Sequence, residues 1–547
     1  MTNSSRSGGI SRRALLGGGA ALAVSARSAV LPARADIGIS LEGLGDGSRS
    51  KPFVDLARTL RPFTAADGAA TLPVDALGWP LADCTTVLFD IRPFPAWNPP
   101  IDDPDAFQPD WSGAYLLSFS GQANVETGGD STARVRSATY DAAANTTHAV
   151  LDVPRGCGLL TLTFRNTRLT PAGRTGSGIA HLHVLRPGTR APVSATFTSE
   201  FLQSLKPFTT LRFMDWLDTN HNPGYYGDTG HHLTEWQART PLDAATQQTT
   251  GAHVGAAWEL VIELANTSGK DAWINIPVSA TDQYVQSLAS LMHAKLRSEL
   301  RIFIEHSNEV WNFGFPQYIW NKLAAEEEVH AGGSRLNSDG STDPEVWAHR
   351  RHAQRLVQIA SIFQRTFGGA AGRRILPVYA SWTISPQAYF ADVLAWLTHA
   401  WGEPWRWLHG VASAAYFSGS SASAMASPEE ILAVMRGASD ANRKVRSQIG
   451  AIALQYGIGH LQYEAGPDNG GGSVVNVANR IRANRAPGMK DLIVRDVRDN
   501  WMALGGNTYI YFAGPSGGYS RYGCWGLSED VADLHTPKWQ AIYQVRR

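Results

Sequence analysis

From about residue 196 onward, short apolar runs alternate with longer amphipathic stretches, and this alternation narrows the available folds more than any other feature. Candidate strands are Thr210–Trp216, Leu260–Leu264, Ala272–Pro277, Arg301–His306, Ile375–Ala380, Leu408–Tyr416, His460–Glu464 and Thr508–Ala513. Helical periodicity fills the intervals, as in Asp282–Leu296, Glu345–Phe367, Pro386–Thr398, Pro428–Tyr456 and Val474–Arg485. Strand–helix alternation implies a parallel sheet, and eight such units predict a (β/α)8 barrel with insertions. The run Leu260–Leu264 lies too close to Ala272 for a crossover helix, so it can itself be helical and the strand numbering can slip by one. A doubly wound open sheet is the structural alternative. No Gly-x-Gly-x-x-Gly follows a strand and no Gly-Lys-Ser/Thr phosphate loop appears, which weakens nucleotide-binding readings.

Residues 36–195 read differently. Ala114–Phe119, Ala133–Tyr140, Thr147–Val153, Leu159–Phe164 and Ile179–Leu185 are short strand-like runs separated by turn formers such as Gly128-Gly129 and Pro187-Gly188. This spacing predicts an all-β sandwich or jelly-roll-like accessory domain. Residues 51–60, with Phe53, Leu56, Ala57 and Leu60 at helical spacing, can pack as a helix against the other domain.

The first 35 residues read as a leader. Ser11-Arg12-Arg13-Ala14-Leu15-Leu16 resembles a twin-arginine motif, a Gly/Ala-rich apolar stretch follows, and Ala33-Arg34-Ala35 forms a cleavage-like site before Asp36. The expected organisation is therefore a twin-arginine signal peptide (1–35), a β-sandwich-like domain (36–195) and a catalytic barrel (196–547). The expected location is periplasmic or secreted, in a bacterium. The apolar stretch is too short and too rich in glycine to span a bilayer stably, so no stable membrane insertion is expected.

Formal net charge is zero, with 48 basic and 48 acidic residues, which argues against a sequence-independent hold on nucleic acid. The 18 Trp suit sugar rings, whose C–H faces are apolar, although many belong in a core. Three Cys are too few for a disulfide scaffold; Cys84 and Cys157 could pair. His181-x-His183 has no third ligand nearby and is read as non-metal, so neither metal nor cofactor is expected.

Two strand ends carry the chemistry. Ile302-Phe303-Ile304-Glu305-His306-Ser307-Asn308-Glu309 runs from an apolar strand into Asn-Glu, and Leu461-Gln462-Tyr463-Glu464 ends a second strand. In the proposed order these are strands four and seven, and barrel active sites lie where the C-terminal strand ends converge. Glycoside cleavage needs one carboxyl protonated and one ionised, on opposite sides of the scissile bond.

On these motifs, over roughly residues 200–530, the chain resembles a clan A glycoside hydrolase, a retaining enzyme on a TIM barrel. The segment Glu-His-Ser-Asn-Glu-Val-Trp-Asn also resembles one in uncharacterised bacterial proteins of this architecture, some described as cellulose-binding. The resemblance implies that Glu309 is the acid/base, Glu464 the nucleophile, Asn308 a ligand of the sugar hydroxyl beside the reacting carbon, and Tyr416 a hydrogen-bond donor to Glu464. It implies an Arg beside the nucleophile, for which Arg212 is the candidate and Arg239 the alternative. Clan members commonly place a Trp on strand eight, whereas this chain reads Tyr509-Ile510-Tyr511-Phe512, so Trp525 in the following loop can substitute.

Trp216, Trp236, Trp311, Trp382, Tyr511 and Trp525 complete the expected substrate-binding set. Glu305 is expected to be a buried partner of Arg212, Glu263 and Asn275 to fall on strands two and three, and His409 to be a core histidine. The loop holding Asn220–Gly227, Gly230-His231-His232 and Trp236 is expected to form part of the substrate wall. The activity implied is retaining hydrolysis of a β-linked oligo- or polysaccharide by a monomer. The alternatives are a transglycosidase with the same residues, an inverting hydrolase, or a non-catalytic carbohydrate-binding protein.

Overall fold

A computed structural model describes residues 36–92, 107–130, 132–190, 193–222, 233–250, 252–470 and 472–546. The leader read in residues 1–35 and the stretch 223–232 of the His/Tyr-rich loop lie outside these residues. Eight parallel strands close into a barrel in chain order: Asp36–Ser40, Thr210–Arg212, Asp271–Ile276, Ile302–His306, Ile375–Ala380, Gly410–Ser418, Gly459–Asp468 and Thr508–Tyr511. They are numbered here one to eight.

Period-two alternation sorts their side chains. On strand four, Ile302 and Ile304 pack outward into the main apolar core under the helices, while Phe303 turns into the barrel. There it stacks on Trp273 of strand three at 5.2 Å, with the rings 10° from parallel. Leu376, Leu461, Tyr463 and Ile510 fill the rest of the interior, so the barrel is a packed core with its polar groups pushed toward one mouth.

Two expectations change. Strand one is Asp36–Ser40, inside the stretch assigned to the β domain, and it pairs with both strand two (Ile39 with Leu211) and strand eight (Ile37 with Tyr509). The barrel therefore does not begin at residue 196. It opens with five residues, leaves for the β domain and resumes at Thr210. Gly38 makes this closure possible: a Cβ there would stand 2.3 Å from Ile510 Cδ1 and 2.8 Å from the Thr210 carbonyl oxygen. The second correction is Leu260–Leu264, which belongs to a helix, Trp258–Ser268. The helix buries Trp258, Leu260, Val261, Leu264 and Ala265 on one side and ends at Gly269 in the left-handed region (φ +66°). Loss of one candidate strand and gain of another leaves strands four and seven in their expected places.

The intervening β domain is a sandwich of two antiparallel four-stranded sheets. One holds Thr64–Ala65, Cys84–Asp90, Leu159–Arg168 and Gln122–Gly129; the other holds Arg134–Asp141, Thr146–Val153, Gly113–Ser120 and Ala180–Leu185. Inward residues of both sheets form a separate core, in which Phe119 of one sheet meets Phe164 of the other edge to face at 5.3 Å. Cys84, Cys157 and Cys524 are buried thiols, so the considered Cys84–Cys157 bridge is not made. The segment 51–60 forms only one short 3-10 turn, Leu56–Thr59; Leu56, Ala57 and Leu60 enter the sandwich core, and Phe53 enters the barrel's.

Residues 243–248 of the chain between strands two and three help to join sandwich and barrel. Ala245 enters the sandwich core, the Thr246 hydroxyl donates to Leu60 O (2.7 Å), and Trp79 Nε1 donates to Asp243 O (3.3 Å). Among the described residues no helix is long and apolar enough to cross a membrane.

Candidate active site

Arg212 organises the barrel mouth. It sits on the inward face of strand two and is fully buried. Its Nη1 donates to Glu464 Oε1 (2.7 Å), its Nη2 to Glu305 Oε2 (3.0 Å) and to Asn308 Oδ1 (2.8 Å), and its Nε to Glu305 Oε2 (3.2 Å). One guanidinium thus ties strands two, four and seven together. A buried Arg without counter-charges would be costly, and the two carboxylates supply them. Burial acts to lower the Arg212 pKa, but Glu305 and Glu464 outweigh it and raise it. Glu305 also accepts from Trp273 Nε1 (2.8 Å) and Asn275 Nδ2 (2.9 Å), which leaves it a fully occupied partner of Arg212, as expected.

Glu464 stands in the middle of strand seven, four residues before its end, and is 5% exposed. Besides the Arg212 contact, its Oε2 accepts from the Tyr416 hydroxyl (2.7 Å). Burial, followed by the charge of Glu464, raises the Tyr416 pKa well above its ordinary value, which keeps that hydroxyl a donor. Strand seven breaks its pairing register around Tyr463, where Ser413 pairs with Gln462 but Ala414 pairs with Glu464. This bulge turns two consecutive residues toward the mouth, Tyr463 as well as Glu464.

Glu309 follows strand four on a tight turn. Ser307 (φ +59°) and Glu309 (φ +43°) both adopt left-handed backbone, a conformation that costs a non-glycine residue roughly 1–2 kcal/mol. Such strain concentrates where the backbone must aim a side chain. Glu309 Oε1 accepts from the Tyr463 hydroxyl (3.0 Å) and Oε2 from Asn312 Nδ2 (2.8 Å). Burial first, then the charge of Glu464, pushes the Glu309 carboxyl up to about 7. Asn308 Nδ2 donates to Asn220 Oδ1 (3.0 Å), and Gln317 Nε2 donates to the same oxygen (2.8 Å), so the loop after strand two reaches the site through Asn220.

Of the residues selected from sequence, the structure brings together Glu309, Glu464, Asn308, Arg212 and Tyr416. Trp311 and Trp382 stack on each other (5.1 Å, 11° between planes) over the loops after strands four and five, with exposed Phe313 against Trp382. Trp525 packs edge to face on Phe512 (5.6 Å), which packs on Tyr416 (5.7 Å).

Other expected ligands lie elsewhere. Arg239, the alternative to Arg212, lies over Trp236 (4.3 Å) and pairs with Glu259, and Trp236 itself packs on Tyr284. Trp216 is buried among Phe53, Phe197, Phe201 and Phe213, and Tyr511 is buried with its hydroxyl donating to Trp525 O (3.0 Å); both belong mainly to the core. Glu263 lies on the helix Trp258–Ser268, not on a strand. His409 is only partly buried, against Phe303, and desolvation pulls its pKa down to about 4. Tyr463 and Asn312 were not selected from sequence, and Asn220 belongs to the loop expected to form part of the substrate wall. A period-two strand would have turned Tyr463 away from Glu464, and only the bulge reverses that. No group of three or more His, Cys, Asp and Glu suited to a metal ion occurs among the described residues.

No family model and no curated protein matches the chain. Solved structures with a similar fold include a GH51 arabinofuranosidase from Xanthomonas axonopodis pv. citri (10% identity, TM-score 0.37, covering 59% of this chain and 62% of its own). They also include the CBM22-1–GH10 modules of the endo-1,4-β-D-xylanase 10B of Clostridium thermocellum (10%, TM-score 0.35, 90% and 96%). A third is a GH5 lichenase from Caldicellulosiruptor sp. F32 (13%, TM-score 0.33, 66% and 89%). The chain spans less than two thirds of the length of the arabinofuranosidase. Likeness at this level carries no weight for the reaction, which rests on the residues of the mouth.

Proposed function

We propose that this protein is a retaining glycoside hydrolase acting on a β-linked oligo- or polysaccharide. The observation that carries the proposal is the contrast between its two carboxyls. Glu464 is ion-paired to Arg212 and bonded to Tyr416. Among the described residues no cation is bonded to Glu309, which holds its proton to about pH 7. In the first step a Glu464 oxygen attacks the anomeric carbon. The glycosidic C–O bond breaks as Glu309 passes its proton to the departing oxygen, leaving a glycosyl ester on Glu464. In the second step water attacks the same carbon and gives a proton back to Glu309, which frees the sugar and regenerates Glu464. Asn308, held by Arg212 and Asn220, is positioned to bind the hydroxyl beside the reacting carbon. The leader read in residues 1–35 adds that the enzyme works outside the cytoplasm after twin-arginine export.

The test is a glycan panel, with the wild type beside Glu309→Gln and Glu464→Gln. Proton NMR of the first-formed anomer follows the stereochemistry. Turnover with net retention, lost in both variants, is the expected result. Net inversion would replace the double displacement with a single one, and turnover unaffected by either variant would remove the site altogether.

A further inference from the structure

The turn that carries Glu309 runs on into a group of packed rings. Asn312 links the two. Its backbone N–H donates to Glu309 O (2.8 Å), its Nδ2 donates to Glu309 Oε2 (2.8 Å), and its Oδ1 accepts from Gly314 N (3.0 Å). Phe313, between Asn312 and Gly314, is thereby fixed relative to the Glu309 carboxyl. It is 70% exposed, and its ring meets Trp382, in the loop after strand five, edge to face at 6.4 Å. Trp382 is held on two further sides, stacked on Trp311 (5.1 Å) and edge to face with Tyr389 (5.7 Å). Ile384, two residues beyond Trp382, is 65% exposed.

A single exposed apolar side chain is ordinary on a protein surface. Phe313 is not isolated in that way. It leans on rings that are themselves packed, exposed Ile384 follows in the same strand-five loop as Trp382, and its own turn is the one that aims Glu309. A rigid aromatic face loses little freedom when a ligand settles on it. Its apolar surface suits the C–H face of a sugar ring, whose hydroxyls then point outward to water and to neighbouring polar groups. Tyr389 packs against His349 (4.4 Å), which puts an imidazole behind the outer rings.

We propose that Phe313 and Trp382 form a shelf for the first sugar on the leaving side, so that the group this protein prefers to expel is itself a sugar. This rests on the hydrolase reading, which also fixes the side. Glu309 gives its proton to the departing oxygen, so whatever that oxygen carries lies along the Glu309 turn. The ring being transferred lies instead with Glu464, whose partners come from strands two and six, whereas the shelf is built by the loops after strands four and five. The exposure of Phe313 and Ile384 leaves the outer end of the shelf open, and a longer leaving chain can run past it into solvent.

The experiment pairs cellotetraose, laminaritetraose, mannotetraose and xylotetraose with the β-fluorides of the matching disaccharides. Fluoride departs without a ring, so each pair differs in whether the leaving group can rest on the shelf. Wild type, Phe313→Ala and Phe313→Tyr are compared by the ratio of kcat/KM on the tetrasaccharide to kcat/KM on the fluoride, a ratio that does not depend on the fraction of protein folded. Binding of the tetrasaccharides is followed separately by saturation-transfer NMR on Glu464→Gln protein with and without Phe313→Ala. The ratio should fall about 5–50-fold in Phe313→Ala, and Phe313→Tyr, which keeps a ring, should recover most of that loss. A ratio unchanged or raised in Phe313→Ala, or wild-type turnover of the fluorides alone, overturns the shelf and leaves the hydrolase standing. Phe313-dependent binding of a tetrasaccharide without turnover of any glycan overturns the hydrolase and keeps the rings as a sugar-binding face. Absence of both binding and turnover overturns the two together.

Discussion

The surroundings of Glu464 and Glu309 differ although the side chains are the same. Glu464 lies on a strand and receives a cation and a phenol from strands two and six. Glu309 lies on a strained turn and receives neutral donors, Asn312 from its own loop and Tyr463 from strand seven. The carboxyl on the strand is bound by charge; the one on the turn is half-buried and meets no bonded cation among the described residues, so desolvation keeps its proton on. The contrast between two identical carboxyls is therefore set by which one carries the cation, and one arginine on strand two sets it.

Removing each carboxyl in turn is the sharpest way to break that contrast. We expect Glu464→Gln to lower kcat/KM by roughly 10⁴-fold or more for every substrate, because no leaving group replaces a nucleophile. Glu309→Gln should cost about 10²–10⁴-fold on unactivated glycosides. It should cost far less on aryl glycosides whose phenolate leaves without a proton. Steady-state assays with leaving groups of graded acidity check both, and equal losses across the series would erase the distinction.

Arg212→Met removes the cation that creates the contrast. It leaves Glu305 and Glu464 buried and unneutralised, a situation that costs about 3–5 kcal/mol. Thermal and urea unfolding should show the loss, and double substitution with Glu305→Gln should recover part of it.

The contrast also has a pH signature. The basic limb of kcat/KM should fall near 7, as Glu309 loses its proton. In Glu464→Gln the neighbouring charge is gone, so the Glu309 midpoint, followed by carbon-13 NMR of its carboxyl, should drop below the wild-type value. Tyr463→Phe should give the smallest change, in the opposite direction: the lost hydrogen bond favoured the ionised form, so the basic limb should move upward. A limb that moves down in Tyr463→Phe would mean that the phenol bonds the protonated form instead.

Much of the site could be read from the sequence because both glutamates end apolar runs, and apolar runs of strand length within a strand–helix series form parallel strands whose ends share one face. Tyr463 was invisible because the bulge beside it leaves no mark in the composition of strand seven. Trp216 and Tyr511 were misplaced because an aromatic near a strand end can face either the mouth or the helices, and parity relative to the pleat is known only once register is known. Asp36–Ser40 escaped notice for another reason. Five residues with a central glycine look like a linker, and only the approach of Ile510 and Thr210 shows why glycine is needed there.

That first strand also governs how the molecule can be made and divided. Asp36–Ser40 hydrogen-bonds to Thr508–Tyr511, so an element synthesised early waits for one near the far end of the sequence before the ring can shut. Contacts of such sequence separation slow folding and leave an unpaired edge exposed meanwhile. A chain shortened to begin at residue 196 would keep seven of the eight strands and lose the one that closes the barrel. The sandwich, for its part, can be excised only by rejoining the segment after residue 50 to the segment before Thr210. It hangs from the barrel as an internal loop grown to the size of a domain.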